Sequence, residues 1–517
     1  MVDTQSKGSP ITSSGYSITD LSRLPSIVAS ARAGFDKFST LPLNERLMLL
    51  RKLRYKIVAR QHEIADVIAA STGKIKMEAL TTEVMVVVDA ILHVEKRAGK
   101  ALRTKRVKTP ITFLGKRSYV EFKPRGVVAV ISTWNFPFML SMVPAIEALA
   151  AGNSVIIKPS EETPSVGMLI ESLFREVSFP PGVMNIIHGG PELGEALLRS
   201  KPDFVHFTGS ENVGRKIAAI TGPELIPTTL ELGGKDPMIV FADANIERAV
   251  NAAIWGAFSN SGQVCMSIER LYVEKSIFDR FLELLVKETE NLRIGGGNDD
   301  DIGAMTIREQ VEIVKKHVKD ALDQGAQLLT GNHPDSWDPE TLSLPPMVLT
   351  NVNNTMAVMQ EETFGPVLPV MPFDSEEQAI ELANDSRFGL NSSVWTRDFS
   401  KGKRIVSRLR TGGSLLNDVI LTIGNPYLPY GGAKSSGVGL YHADQGIQSF
   451  AIQSAVMVDR GWLTREAHWF PYFGKKSLFE DLLASYWSPS RNLAKFGLSY
   501  LKLLAKSRSS NKEASPK

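Results

Sequence analysis

Short apolar runs alternate with helix-length segments over much of this 517-residue chain, and this alternation restricts the fold more than any other feature. Residues 126–131 (GVVAVI) form an uninterrupted apolar run, as in parallel strands that are buried on both faces. Further strands are predicted at residues 154–157, 183–187 and 204–207, with helices between them. The same pattern repeats from Asp236 to about Gly432. The sequence therefore predicts two α/β domains, of which the first is doubly wound.

Segments of different character flank these two domains. Residues 1–20 are polar and rich in turn-forming residues, so we expect a flexible N-terminus. From residue 21 to about 105, apolar residues recur at three- to four-residue spacing, which predicts helices. Residues 107–122 surround Gly115-Lys116 and predict a β-hairpin, and residues 450–458 predict a further strand.

Charge and composition argue against several classes of protein. The net charge is +3, yet residues 461–517 contain ten Lys or Arg against four Asp or Glu, so the remaining chain carries −3. Because no basic stripe runs through the body of the chain, we predict no binding of nucleic acid. The chain shows no secretory signal, no apolar window of about 18 residues and only one cysteine, and these features predict a cytoplasmic protein.

The single cysteine, Cys265, lies in the segment Ser261-Gly-Gln-Val-Cys-Met-Ser267. A chain with one cysteine builds no internal disulfide. Two interpretations are open: a small buried apolar side chain, or a nucleophile. The small and polar neighbours Ser261, Gly262 and Ser267 leave room for a substrate and for backbone N–H donors, which favours the nucleophile.

Polar residues also follow the first two predicted strands, at the edge where open α/β sheets bind their ligands. Asn135, in Trp134-Asn-Phe-Pro137, either donates to an oxyanion or simply ends its strand. Lys158 and Glu161 have the donors and acceptors to hold a ribose, although loop charges are often only solvated.

Three later motifs suggest chemistry of the same kind. Phe207-Thr-Gly-Ser210 precedes a helix, which suits a phosphate-binding turn as well as an ordinary strand-to-helix turn. Glu231, in Leu230-Glu-Leu-Gly-Gly-Lys235, is either a desolvated base or a member of a salt bridge. Glu362 and Phe364 either grip a second sugar and a ring or belong to a loop before a strand.

In this order, the motifs resemble those of the aldehyde dehydrogenase superfamily over about residues 21–460, and within it the bacterial succinate-semialdehyde-dehydrogenase-like branch. The segment Pro429-Tyr-Gly-Gly-Ala-Lys-Ser-Ser-Gly437 looks like the family's late Gly-Gly-x-Lys-x-Ser-Gly turn. The separation of 34 residues between Glu231 and Cys265 also looks like the family's distance from base to nucleophile. With this resemblance, the nucleophile becomes the favoured interpretation of Cys265.

The resemblance implies oxidation of an aldehyde to an acid with NAD, or with NADP as the alternative. Cys265 would attack the carbonyl, Asn135 and the Cys265 backbone N–H would hold the oxyanion, and Glu231 would activate water to hydrolyse the thioester. The residues implied in cofactor binding are Ser132, Trp134, Lys158, Ser160, Glu161, Gly209, Ser210, Gly214, Leu232, Glu362 and Phe364. No metal site is implied. A carboxylate at Glu161 would repel a 2′-phosphate on the ribose, which favours NAD over NADP.

The implied fold is α/β and aldehyde-dehydrogenase-like, with a doubly wound cofactor domain, an α/β catalytic domain and a small β oligomerisation element. The NAD-binding domain would comprise residues 21–105 and 124–233, and the catalytic domain residues 234–440. The oligomerisation element would comprise residues 106–123 and 447–460, whose strand edges would pair subunits in a homodimer or homotetramer.

Two departures from the family bear on the substrate and the tail. Residues 138–143 hold no arginine for a distant carboxylate, and apolar Trp255 and Met266 lie near the nucleophile in sequence. These residues favour a hydrophobic aldehyde (long-chain, aromatic or terpenoid/carotenoid), and succinate semialdehyde is the alternative. An alternative of another class is a non-catalytic NAD-binding or membrane-associated scaffold. Residues 461–517 combine aromatic residues with a basic amphipathic helix, which fits peripheral contact with an anionic membrane or packing on the protein.

Overall fold

The structure, a computed structural model, describes residues 17–297, 299–338 and 340–509. The chain divides into two compact units. Unit 1 comprises Met1–Arg103 with Glu121–Ser454, and unit 2 comprises Thr104–Val120 with Ala455–Lys517. Most of the N-terminal segment for which flexibility is predicted, residues 1–16, lies outside the described residues.

Helices and strands alternate through most of unit 1. The helices of the chain are α1 Leu24–Phe38, α2 Leu43–Ala59, α3 Gln61–Thr72, α4 Lys76–Glu78, α5 Met85–Ala101, α6 Pro137–Ala151, α7 Pro164–Val177, α8 Pro191–Arg199, α9 Glu211–Thr221, α10 Ile246–Phe258, α11 Phe278–Glu290, α12 Arg308–Asp323, α13 Ala357–Gln360, α14 Glu376–Asn384, α15 Phe399–Val406, α16 Ala443–Ser449, α17 Lys476–Trp487 and α18 Leu493–Ser509. The strands are β1 Lys105–Val107, β2 Arg117–Pro124, β3 Val127–Ile131, β4 Ser154–Lys158, β5 Met184–Ile186, β6 Phe204–Thr208, β7 Thr228–Glu231, β8 Asp236–Val240, β9 Ile268–Glu274, β10 Gln327–Leu328, β11 Met347–Thr350, β12 Val367–Phe373, β13 Ser393–Trp395, β14 Leu415–Leu416, β15 Gly437–Val438 and β16 Ala451–Val458.

The first predicted α/β domain is built on a six-stranded sheet in the order β15-β7-β6-β3-β4-β5. Its strands are parallel except for β15, which is antiparallel to β7. The strand order reverses at β3, which pairs with β4 on one side and β6 on the other, and ligands bind at such switch points. The register sets Ile131 beside Lys158 and Phe207, and Thr208 beside Glu231. The carboxyl ends of these four strands therefore meet at one edge of the sheet.

The second predicted α/β domain contains a seven-stranded sheet in the order β10-β11-β12-β9-β8-β13-β14. Only β10 runs antiparallel to its neighbour in this sheet. All residues of β8 are buried, as are those of β3 and β4 in the other sheet. Helices on both faces of a parallel sheet explain why these strands read as continuous apolar runs in the sequence.

The structure confirms the predicted alternation of strands and helices in both domains, with boundaries that shift by a few residues. The helix predicted from residue 140 already begins at Pro137, because proline is favourable in the first turn of a helix. The predicted doubly wound architecture is likewise confirmed, since the strand order has the expected reversal.

The predicted hairpin at residues 107–122 is confirmed as an antiparallel pair of β1 and β2, but its connection differs from the prediction. The expected turn is present, with Gly115 at a φ of 87° and the Lys116 N–H donating to Phe113 O at 3.1 Å. The segment before it differs, because Ile111–Phe113 form a short 3-10 helix instead of continuing the strand. Pro110 precedes this helix, and a proline offers no N–H to a strand ladder. The third sheet has the order β1-β2-β16.

Unit 2 has a small core of its own. Leu482 of α17 is buried with Phe496 and Leu503 of α18. Lys116 Nζ donates to Asp459 Oδ2 and to Glu466 Oε1, at 2.7 Å in each case. Among the helices of the described residues, none combines the length and the apolar character needed to cross a bilayer.

Candidate active site

Cys265 follows a strained turn that connects α10 to β9. Asn260, Ser261 and Gly262 have successive positive φ angles of 50°, 55° and 74°. The backbone N–H of Asn260 donates to Glu78 Oε1 at 2.7 Å and holds the turn. Strain of this kind persists only where the surrounding structure enforces it, and it is concentrated at functional sites.

Two cavities of unit 1 meet at the Cys265 side chain. The polar cavity has a volume of about 310 Å³ and includes Trp134, Asn135, Gly209, Ser210, Glu231, Leu232, Glu362 and Phe364 in its lining. The apolar cavity has a volume of about 220 Å³ and is lined mainly by Val86, Phe136, Met139, Leu140, Val264, Met266, Ile420 and Ile423. Of the described residues, Cys265 alone lines both cavities.

Two buried carboxyl groups lie in the polar cavity. Glu231 is 3% exposed, and neither of its carboxyl oxygens has a hydrogen-bond partner among the described residues. Burial raises the pKa of Glu231 well above its ordinary value. Glu362 Oε1 accepts from the Gly234 N–H at 3.0 Å, and burial raises the pKa of Glu362 to about 8. A carboxyl group with a raised pKa suits general-base work near neutral pH.

The Cys265 sulfur lies in acidic surroundings and is partly buried. Burial raises the pKa of the Cys265 thiol to about 12, and the carboxyl groups of Glu362, Asp236 and Glu231 add to this effect. The Tyr430 hydroxyl lies 3.5 Å from Cys265 Sγ, and this hydrogen bond lowers the pKa of the thiol. With these surroundings alone, the thiol is the main form at neutral pH.

Asn135 is positioned by a buried ion pair that sequence reasoning did not predict. Its Nδ2 donates to Gln263 O at 3.0 Å, two residues before Cys265. Lys74 Nζ donates to the Asn135 carbonyl oxygen and to Glu83 Oε1, at 2.8 Å in each case. An amide NH₂ has two donors, so Asn135 keeps one for a ligand in the polar cavity.

The segment Glu362–Phe364 is held by a second buried ion pair, between Lys235 and Glu269. Glu269 Oε1 accepts from the Phe364 N–H at 2.9 Å. The Phe364 ring also makes an edge contact with Trp134, at 5.5 Å between ring centroids. The Phe364 ring and the Glu362 carboxyl group are therefore held in place by residues packed around this segment.

The predicted cofactor residues divide into two groups. Those that line the polar cavity are Trp134, Gly209, Ser210, Leu232, Glu362 and Phe364. Those that do not line it are Ser132, Lys158, Ser160, Glu161 and Gly214. Lys158, at the end of β4, pairs with Glu161 at 2.7 Å between Nζ and Oε2. All eleven cofactor roles stay predictions.

The polar cavity has features that fit a nicotinamide dinucleotide. Ser210 caps α9 by accepting from the Val213 N–H at 3.4 Å, which turns a helix N-terminus toward the cavity edge. The buried Thr208 Oγ1 and Asn135 Oδ1 have no partner among the described residues, so both remain available to a ligand. A Cβ on Gly233 would overlap the Glu362 carboxyl group, so a larger residue there would displace that side chain.

The apolar cavity agrees with the prediction of a hydrophobic entry. Trp255 and Leu421 line it and remain 44% and 48% exposed, so its rim is apolar as well. Glu78 is the one charged residue among its described lining residues. Its Oε2 is buried without a partner, and burial raises the pKa of Glu78.

Several residues of this site escaped sequence reasoning. Lys74 and Glu83 lie in no recognised motif. Glu269 and Tyr430 lie in recognised segments, the one around Cys265 and the late glycine turn, but neither residue is assigned a role there. Glu83 offered a signal, because a lone carboxylate directly before the apolar run of α5 must find a buried partner. For Glu269, inside the buried strand β9, the same signal was present.

Comparison with known proteins agrees with the resemblance. The model of the aldehyde dehydrogenase family matches residues 15–456. A 4,4'-diapolycopene aldehyde oxidase of Methylomonas sp is 43% identical over 433 residues, which are 84% of this chain and 81% of that protein.

Two further relatives cover most of the chain. A putative succinate-semialdehyde dehydrogenase [NADP(+)] of Mycolicibacterium smegmatis is 35% identical and covers 84% of each protein. A Mycobacterium tuberculosis aldehyde dehydrogenase, crystallised with NAD+, is 32% identical with a TM-score of 0.82, over 86% of this chain and 92% of that one.

Proposed function

Because the chain belongs to the aldehyde dehydrogenase family and is an NAD(P)-dependent enzyme that oxidises aldehydes, we propose that Cys265 is its nucleophile and that its substrate is a long apolar aldehyde. One observation carries this proposal. Cys265 alone, among the described residues, lines both the polar and the apolar cavity. A substrate in one cavity and a hydride acceptor in the other would therefore meet at its sulfur.

Cys265 attacks the aldehyde carbonyl as a thiolate and forms a thiohemiacetal. The oxyanion that develops accepts hydrogen bonds from the free Asn135 N–H and from the Cys265 backbone N–H. The ion pair of Lys74 and Glu83 holds Asn135 in place from behind. Stabilisation of this kind acts mainly on charge that appears in the transition state.

Glu362 and Phe364 on one wall of the polar cavity, and Ser210 at the helix N-terminus, would hold the nicotinamide dinucleotide. Bound there, NAD(P)+ would supply the hydride acceptor, and loss of hydride from the thiohemiacetal carbon would leave a thioester on Cys265. Glu231 then takes a proton from water, and the hydroxide equivalent attacks the thioester carbon and releases the acid and the Cys265 thiolate. The raised pKa of Glu231 matches this role.

The apolar cavity supports a substrate with an extended apolar end, such as a terpenoid or carotenoid aldehyde. None of its described lining residues is cationic, and its one charged residue is Glu78. A substrate with a second carboxylate, such as succinic semialdehyde, would meet an acidic side chain there without a compensating cation. The 43% identity to the diapolycopene aldehyde oxidase favours the same substrate class.

The test is kcat/KM with NAD across aldehydes of rising chain length, a polyene aldehyde in detergent, and succinic semialdehyde. We expect kcat/KM to rise with apolar length and to be lowest for succinic semialdehyde. A preference for succinic semialdehyde would replace the proposed substrate class with that named for the 35% identical relative.

We also propose that the chain forms a homodimer or homotetramer through the sheet β1-β2-β16. β16 is an edge strand of this sheet, and its Ile452, Met457 and Val458 are 47%, 51% and 48% exposed. Exposed apolar edge strands commonly pair with another chain. Light scattering after size exclusion should report a multiple of the 56.7 kDa chain, and a Met457→Lys variant should shift it toward the monomer.

Unit 2 supports a further proposal, peripheral contact with an anionic membrane. Trp462, Phe470 and Phe473 are 77%, 74% and 80% exposed, which is unusual for large aromatic side chains. Arg106 and Arg460 lie with Trp462 around a cavity of about 550 Å³ in this unit. Aromatic residues beside cations match the interface of an anionic bilayer.

Co-sedimentation of the full chain with vesicles of anionic phospholipid tests this contact, with neutral vesicles alongside. The triple variant Trp462→Ser, Phe470→Ser, Phe473→Ser should lose most of the binding. Leu225→Ser is a matched control, because Leu225 is an apolar residue of unit 1 that is 88% exposed. Equal sedimentation of the three proteins would contradict membrane contact through unit 2.

A further inference from the structure

Tyr430 lies behind the Cys265 sulfur, outside both cavities. Its hydroxyl is 3.5 Å from Cys265 Sγ and 3.3 Å from Met266 Sδ, to which it donates. Tyr430 lines neither the polar nor the apolar cavity. Any effect of its hydroxyl on the reaction therefore passes through Cys265 or Met266 rather than through direct contact with the substrate.

The position of this hydroxyl is fixed by the backbone. Tyr430 N–H donates to Tyr441 O at 2.8 Å, and Tyr441 N–H donates back to Tyr430 O at 2.9 Å. The Tyr430 ring packs edge-on against Tyr441, at 5.4 Å between centroids, and is 5% exposed. A buried ring held in this way keeps its hydroxyl beside the two sulfur atoms.

The groups around the sulfur explain why a donor matters there. The carboxyl groups of Glu362, Asp236 and Glu231 all act to raise the pKa of the Cys265 thiol, so each disfavours a thiolate. His442 packs beside Tyr430, and burial lowers its pKa to about 3, so it brings no positive charge. Among the described groups, the Tyr430 hydroxyl is the hydrogen-bond partner of Cys265 Sγ.

A phenol hydroxyl has one proton, so it can donate to only one of the two sulfurs at a time. While Cys265 is a thiol, donation to Met266 leaves the Tyr430 oxygen free to accept from the S–H. Once the thiol proton has gone to solvent, a thiolate can only accept. Burial holds the pKa of Tyr430 well above its ordinary value, so the phenol keeps its own proton throughout.

We propose that Tyr430 is a further catalytic residue, whose hydroxyl turns from Met266 Sδ to Cys265 Sγ when the thiolate forms. This inference rests on the proposed role of Cys265 as nucleophile. A hydrogen bond to a thiolate lowers the free energy of the thiolate. It thereby lowers the pKa of the thiol by roughly one to two units. The hydroxyl thus offsets part of the acidic surroundings that Glu231 and Glu362 impose on the sulfur.

The chain offers an unusually clean test, because Cys265 is its only cysteine. The rate of alkylation by iodoacetamide, at a fixed pH below the thiol pKa, follows the thiolate fraction of this one residue. We expect Tyr430→Phe to slow alkylation roughly three- to tenfold, since a less acidic thiol yields a somewhat more reactive thiolate. Met266→Leu removes the competing acceptor and should speed alkylation.

Tyr441→Phe is the matched control, because it removes a buried phenol next to Tyr430 and leaves the hydroxyl beside Cys265 in place. Its alkylation rate should stay within twofold of the unaltered protein, with thermal unfolding measured for all variants. In aldehyde oxidation, Tyr430→Phe should lower kcat and leave KM nearly unchanged.

Equal alkylation rates for Tyr430→Phe and the unaltered protein would overturn the inference, as would an equal slowing by Tyr441→Phe. The thiol measurement needs no aldehyde turnover. If the unaltered protein failed to oxidise any aldehyde, the proposed function would fail while the alkylation rates would still decide the hydrogen bond.

Discussion

The two cavities that meet at Cys265 are built in different ways. The polar cavity takes its groups from short motifs at the ends of neighbouring strands, and buried ion pairs anchor them. The apolar cavity takes side chains from α5, α6 and the segment around residues 420–424, which share no motif. This difference teaches that the chemistry is encoded in specific residue types, whereas the substrate preference is encoded in the volume and polarity of packed side chains.

The largest expected effect removes the atom that both cavities share. Cys265→Ser should lower kcat/KM by about 10⁴-fold or more, because a serine hydroxyl without a strong adjacent base is a poor nucleophile at neutral pH. The appearance of NAD(P)H absorbance measures this loss. Unchanged NAD(P)+ affinity by titration calorimetry would show that the polar cavity is intact. Turnover of Cys265→Ser near that of the unaltered protein would contradict the proposed role of Cys265, since the residue that lines both cavities would then be dispensable.

A large effect is also expected on the polar side alone. Glu231→Gln should lower steady-state turnover by roughly 10²- to 10⁴-fold, because the thioester loses its general base. A base acts only when deprotonated, and burial raises the pKa of Glu231. We therefore expect kcat to be low at pH values below this raised pKa and to increase as the pH rises through it. In Glu231→Gln this limb of the pH profile should vanish.

Rapid mixing would separate the two steps in Glu231→Gln. A burst of NAD(P)H followed by slow turnover is the expected result, because only thioester hydrolysis is impaired. Loss of the burst would instead assign Glu231 to the first step.

A smaller effect is expected when the apolar side receives a charge. Met139→Arg places a cation in the apolar cavity, where it can pair with the carboxylate of succinic semialdehyde. The kcat/KM for succinic semialdehyde, divided by the kcat/KM for a long-chain aldehyde, should increase roughly ten- to hundredfold. Met139→Leu is the matched control and should leave the ratio within about threefold. An unchanged ratio in Met139→Arg would mean that this cavity does not hold the aldehyde.

The smallest effect is expected at Glu161, a predicted cofactor residue that does not line the polar cavity. Glu161→Gln should raise kcat/KM for NADP roughly fivefold, because a partly exposed carboxylate no longer repels the 2′-phosphate. Glu162→Gln, which removes the neighbouring carboxylate, is the control and should change little. If both variants responded alike, the effect would come from general charge rather than from a contact to the ribose.

The sequence predicted much of the fold because buried parallel strands have a distinctive composition. The runs at β3 and β4 could be recognised without any other information, since a strand covered on both faces has no polar side. The connection between β1 and β2 was predicted less well. There Gly115 marked the turn, but the 3-10 helix Ile111–Phe113 between Pro110 and Gly115 has no periodic pattern by which so short a segment could be recognised.

Within the site, Asn135, Glu231 and Cys265 were predicted because each lies in a short motif whose chemistry is recognisable. Lys74, Glu83 and Tyr430 were not assigned a role, because their function depends on a partner far away in sequence. Glu83 reaches the α6 N-terminus, where its Oε2 accepts from the Phe138 N–H at 2.8 Å. A local pattern holds no record of such a contact.

The sequence by itself predicted the fold class, because periodicities along the chain indicate it. The resemblance of its motifs to a known family implied the nucleophile and the kind of chemistry. Only the tertiary structure decided that Cys265 alone, among the described residues, lines both cavities, and that the Tyr430 hydroxyl lies beside its sulfur. These features arise from side chains that converge from distant segments. Their distances and burial depend on packing in three dimensions, which a linear sequence does not display.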